Sequence, residues 1–199
     1  MLAHVPRRRV LDAGGTVTSR QPSGAPRIPP GRLKELGPIN WVVWRVLSTA
    51  SGARDAHLFS TLGRTGGLFR GWLHYSGKLM PGGKLPRHEA ELVIIRVAHL
   101  RECQYEMDHH VQLGRRAGVT PEIVDRIITG PDTQGWSEKH RALLTAVDEV
   151  VTTKGLSDAT WGALAAHYDD RRMIEIVLLI TQYDGLATTI GTLRLERDF

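Results

Sequence analysis

A single cysteine in 199 residues leaves no partner for an intramolecular disulfide, so oxidising secretion is not implied and a cytoplasmic location is expected. Long apolar runs are missing too: no stretch approaches the roughly 18 consecutive apolar residues of a membrane span. Alternating β-branched runs closed by hairpin turns, the signal of strands, do not occur. Charge of one sign is confined to the start of the chain. Residues 1–32 hold six Arg and one Asp, and the other 20 basic and 20 acidic residues cancel, so the formal charge of +5 belongs to that segment alone. With no basic stripe and no interleaved aromatics beyond it, the remainder offers nucleic acid little to bind. The glycines of GRTGG (63–67) follow no strand and lack the G-x-G-x-x-G spacing of a nucleotide cradle.

What is present is one helical domain. An apolar content of 41% and a mean hydropathy of −0.21 are those of a soluble globular chain long enough for one real core. Residues 1–32, rich in Arg, Pro, Gly and Ser, are expected to form a mobile basic tail. No apolar core follows RRR (7–9), so no export signal is expected there. The domain is placed at 33–199. Helices are predicted at Asn40–Thr49, Ala53–Leu62 and Gly67–Leu79, and a central one from Pro86 to about His99. Arg101 and Glu102 break the chain before a helix that starts at Cys103 and ends at Gly118. Thr120-Pro121-Glu122, Ser137 and Ser157 read as N-caps of three further helices. A last long helix begins near Arg171, with a bend expected at Gly185. The fold class is all-α.

The central stretch carries the chemistry. Glu91 interrupts ELVIIRVA and shares its helical stripe with Ile94, Ile95 and Ala98, where an unpaired carboxylate would cost several kcal/mol or stay neutral. Cys103, Glu106 and His110 follow at i, i+3 and i+7, within roughly 60° of one another on one helix face. A thiol, a carboxyl and an imidazole so placed, with Glu91 on the preceding helix, are expected to converge on one pocket suited to acid–base or thiol chemistry. The helix N-terminus is expected to stabilise a Cys103 thiolate. His109 points about 100° away, toward solvent or a subunit contact, and Tyr105 lies on another face. The spacing provides two metal ligands readily and three only awkwardly; no metal is expected. Glu175, which echoes Glu91 84 residues on, is read as structural.

LPRHEAELVIIRVA, CQYEMDHH and AGVTPEI, followed by SEKHRALLTAVDEV and LSDATWGAL, resemble the carboxymuconolactone decarboxylase / alkylhydroperoxidase D superfamily over roughly residues 55–195. The resemblance implies an AhpD-like helical bundle built around a buried helical hairpin, assembled as a homotrimer or homohexamer. It also implies that the helices before residue 80 form a lid, with Trp72, His74, Tyr75 and Tyr105 as candidate substrate-binding residues. In the peroxidase branch a Glu precedes C-x-x-C, and a His follows the second Cys by four residues. Glu91, Cys103 and His110 match the Glu, the first Cys and the His, but Glu106 stands where the second Cys would be.

That departure removes the internal disulfide on which two-cysteine peroxidase turnover depends. The expected activity is a cofactor-free lyase or isomerase acting by proton transfer on a small organic acid, lactone or polyketide-like substrate, with Glu91, Cys103, Glu106 and His110 as catalytic candidates. A one-cysteine thiol peroxidase is the alternative enzyme. A non-catalytic oligomeric binding protein is the alternative outside enzymes, since fold does not fix function.

Overall fold

A computed structural model of the chain describes residues 24–199, and these contain helices and turns but no strand. In chain order they form α1 (Leu33–Ser51), α2 (His57–Leu62), a 3-10 turn (Gly63–Thr65), α3 (Gly67–Leu79), α4 (Arg87–Leu100) and α5 (Gln104–Arg116). There follow α6 (Pro121–Thr129), α7 (Glu138–Thr153), α8 (Asp158–Ala165) and α9 (Asp170–Leu193). The basic stretch read as a tail lies outside the described residues up to position 23. Its last part is held against the domain: Arg27 N–H donates to Leu193 O at 3.0 Å and Gly31 N–H to Ser60 O at 2.9 Å. The ordered chain therefore begins before Leu33.

α4 is the centre. Every residue from Glu89 to Ala98 is buried, as befits a helix apolar all round, and it packs against α5, α6, α7 and α9. Leu92, Val93, Ile94, Ile95 and Val97 are wholly shielded, each contributing roughly 1.5–3 kcal/mol. Three charged residues go into the core with α4, Glu89, Glu91 and Arg96, each with a partner, that of Glu91 belonging to the site described below. Glu89 meets Lys139 Nζ at 2.5 Å and the Tyr168 hydroxyl at 2.9 Å. Arg96 forks onto Asp148 at 2.7 Å and also donates to the Ile127 and Ile128 carbonyls at the end of α6, where a cation suits the helix dipole.

Caps place the other ends. Thr120, Ser137 and Ser157 accept the N–H of Ile123, His140 and Thr160 at 3.4, 3.2 and 3.2 Å, each worth about 1 kcal/mol. α1 starts earlier than predicted, with a kink at Gly37 (φ 69°); the residue before a proline avoids helical geometry, and Pro38 follows. Pro86 caps α4 from outside its first turn. α9 runs unbroken through Gly185. By length and composition α9 could cross a membrane, with a mean hydropathy of 1.3 over 18 residues, but here it is a core helix that buries Ile176, Leu179 and Ile180 against α4 and α7. Glu175 is structural: its carboxylate accepts the N–H of Lys84 at 2.9 Å and of Leu85 at 2.8 Å, pinning the loop that leads into α4.

Candidate active site

The turn between α4 and α5 sets the geometry. Glu102 adopts φ 53°, its N–H donates to His99 O at 3.1 Å, and the Cys103 N–H donates to Ala98 O at 2.9 Å. This is a Schellman closure with a glutamate at the left-handed position that glycine usually takes. It reverses the chain so that α5 lies back along α4. Cys103 is thereby fixed as the residue preceding α5, its carbonyl accepting Met107 N–H at 3.1 Å.

One and two turns further, α5 presents Glu106 and His110 inward, both buried. His110 Nδ1 lies 2.9 Å from Glu91 Oε2. A carboxylate only accepts, so this contact selects the tautomer with the hydrogen on Nδ1 and the lone pair on Nε2. Arg87 Nη2 stands 2.7 Å from Glu91 Oε1, a charge contact off the hydrogen-bonding line. Tyr183 meets His110 edge-on, centroids 5.0 Å apart at 87°, and fixes the ring plane. Burial in this wall pushes the Tyr183 hydroxyl far above its ordinary value.

Glu106 is the anomaly. Neither of its buried carboxyl oxygens has a hydrogen-bond partner. Burial pushes its pKa up to about 8; Asp184 pushes the same way, while the Cys103 thiol and Arg101 pull it down. At neutral pH the group is a carboxylic acid with a proton to give. The Cys103 thiol does not behave as the helix start suggests. Burial, and then the Glu106 carboxyl beside it, raise it well above the ordinary thiol value. The N–H groups of Glu106 and Tyr105 act in the other direction and lose, for the thiol does not cap the helix. It is a protonated thiol.

The four residues are contiguous, Cys103 beside Glu106 and His110 on Glu91, but only two of them line the same cavity. Glu106 and His110 line a cavity of about 290 Å³ between α1, α2, α3, α5 and α9. Cys103 lines a separate hollow, with Arg101, Gln104 and Ile190. Glu91 lines neither and acts on the first through His110. Among the binding candidates, Trp72 and Tyr105 line the Glu106 cavity, while His74 and Tyr75 point outward from α3 and are exposed. The α3 face that meets the cavity carries Trp72, Leu73, Ser76 and Gly77, which leaves positions 74 and 75 on the far side. Among the described residues no group of three or more His, Cys, Asp or Glu side chains is placed so that it could hold a metal ion.

A second polar cluster flanks the cavity and escaped the sequence reading. Asp198, its side chain wholly shielded, receives the Tyr105 hydroxyl at 2.5 Å and lies 2.9 Å from His109 Nε2 and 2.8 Å from His57 Nδ1. Tyr105 also accepts the Leu58 N–H at 3.2 Å. The imidazoles and the phenol hold the Asp198 carboxyl far below the usual range, and Asp198 raises His57. His109 is thus an internal partner of Asp198, not a solvated residue. Its i+4 spacing from Tyr105 was visible; the aspartate 89 residues away was not.

The all-helical arrangement around the buried α4–α5 hairpin is that of the AhpD-like proteins. It overlays on the alkylhydroperoxidase AhpD core of an uncharacterized peroxidase-related protein from Ralstonia eutropha JMP134 with a TM-score of 0.75 at 19% identity, covering 86% of this chain and 92% of that one. It overlays on the debrominase Bmp8, solved as a cysteine-to-alanine variant with 2,3,4-tribromopyrrole, with a TM-score of 0.73 at 16% identity, covering 85% and 90%. The uncharacterized protein YdfG of Bacillus subtilis (strain 168) is 24% identical over 101 residues, 50% of this chain and 69% of its own. Residues 66–149, which include Glu91, Cys103, Glu106 and His110, match the carboxymuconolactone decarboxylase family. Over that segment the chain is similar to the family, and the overlays, at 16 and 19% identity, show that the fold is shared.

Proposed function

We propose that the chain is a cofactor-free lyase or isomerase that moves protons on a small carbonyl-containing molecule. The observation that carries this reading is the Glu106 carboxyl, protonated and unpartnered, facing the same cavity as a histidine whose other nitrogen is held by a buried carboxylate. His110 Nε2 takes a proton from the carbon beside the substrate carbonyl. Glu91 stabilises the imidazolium that forms, and Glu106 donates its proton to the developing enolate oxygen. Return of the His110 proton to a different carbon, while the enol hydroxyl gives its proton back to Glu106 as the carbonyl re-forms, completes an isomerisation. If carbon dioxide leaves instead, the same donors stabilise the enolate it leaves behind.

An unsaturated lactone assayed against variants tests this. His110→Gln is expected to lower kcat by about 10²–10⁴-fold, with Cys103→Ala within a few-fold of wild type. The peroxidase alternative is favoured by the thiol lying directly beside Glu106, but its burial withholds the thiolate that attack requires. Rapid hydroperoxide turnover with a dithiol, abolished in Cys103→Ala, would replace the proton-transfer reading. Equal activity of wild type, Glu106→Gln and His110→Gln in both assays would favour a binding protein. The exposed apolar stripe of Ile39, Val42 and Val46 on α1, with Ile174 and Leu178 on α9, supports a homotrimer or homohexamer. Sedimentation at the 22.1 kDa monomer mass would exclude it.

A further inference from the structure

The cavity wall narrows the substrate. Leu47, Leu58, Phe59, Trp72 and Leu186 supply much of its surface, and among the described residues no lysine or arginine side chain lines it. The cations nearby are engaged elsewhere: Arg87 on Glu91 at 2.7 Å and Arg101 on Asp184 at 3.0 Å. The histidines of the wall are likewise committed, His110 to Glu91 and His109 to Asp198, each at 2.9 Å. Ser76 and Gln182, across from them, hydrogen-bond each other at 3.1 Å. A carboxylate entering this space would give up its hydration without meeting a cation, and it would face two carboxyl-bearing relays. An uncompensated buried charge costs several kcal/mol. An uncharged ring loses nothing comparable and gains two aromatic surfaces, Phe59 and Trp72, tilted at 48° with centroids 6.5 Å apart.

We infer that this cavity selects an uncharged cyclic carbonyl compound, a lactone or cyclic enone and not a free carboxylate, with its ring against Phe59 and Trp72 and its carbonyl oxygen toward Glu106. The inference rests on the cavity being the reaction site and deepens that reading by excluding the organic-acid class, and with it the loss of carbon dioxide, which leaves isomerisation as the reaction. The test is a ¹⁹F NMR titration of the full chain at pH 7 with two probes of similar shape, 4-fluoroacetophenone and 4-fluorobenzoate. The ketone is expected to bind at least tenfold more tightly. Leu47→Lys, which adds a cation to a partly exposed wall position, is expected to shrink or reverse that ratio. Benzoate bound as tightly as the ketone by wild type, binding of neither probe, or a ratio unmoved by Leu47→Lys would overturn the inference. The proton-transfer reading stands or falls separately on the turnover of His110→Gln, which these titrations do not measure.

Discussion

Glu106 should make stability fall as pH rises, the reverse of the usual carboxylate. Its folded pKa of about 8 lies above the ordinary carboxyl value of 4.5, so between those limits the folded chain holds a proton that the unfolded chain has released. The stabilisation is complete below the unfolded value and is lost progressively as pH climbs through the folded one. At about 1.4 kcal/mol per unit, the loss between pH 5 and pH 8 is on the order of 4 kcal/mol. Exposure does not dilute it, since Glu106 is only 3% accessible. The assay is urea unfolding of wild type and Glu106→Gln at fixed protomer concentration, from pH 5 to pH 9. Gln is isosteric and does not titrate, so all other groups cancel in the difference. With slopes of about 1–3 kcal/mol per molar urea, the wild-type midpoint should drop relative to the variant by one molar or more across this range. A difference that stays flat with pH would show that Glu106 is ionised or solvated in the folded chain, and the acid role assigned to it would fall.

Cys103 should react with iodoacetamide far more slowly in the native chain than in urea, with no rise in native rate near the ordinary thiol pKa; a fast native reaction at pH 7 would indicate a thiolate and revive the peroxidase. Ile94→Ala, at a fully enclosed α4 position, should cost about 2–5 kcal/mol by denaturant unfolding, and a loss under 1 kcal/mol would mean that α4 is not the centre of the core. Asp198→Asn should destabilise the chain near pH 6, where both partners of the wild-type pair are charged. Asp198 is lowered, so its contribution fades as pH falls below its unfolded range, and His57 is raised, so its share fades as pH rises through its folded value. A deficit independent of pH would refute that ion-pair account.

The local features of the chain were set by local chemistry and were therefore legible. α3 was placed residue for residue, and Thr120, Ser137 and Ser157 cap as their spacing predicts, because capping involves only the next three residues. The inward placement of Glu106 and His110 follows from helical periodicity alone. The break at Arg101 and Glu102 was legible as well, since α4 ends at Leu100 and α5 begins at Gln104; what was not legible is the φ of 53° at Glu102, which the surrounding packing fixes. What tertiary structure decided was the environment of each group. Burial overrode the helix start at Cys103 and reversed its expected ionisation, and the fold left the thiol beside Glu106 but lining an adjoining hollow. It turned His74 and Tyr75 outward, and it brought Asp198 from the far end of the chain onto Tyr105, His109 and His57. Sequence spacing reports which groups share a helix face; desolvation and long-range contact depend on what that face packs against, which only the folded chain defines.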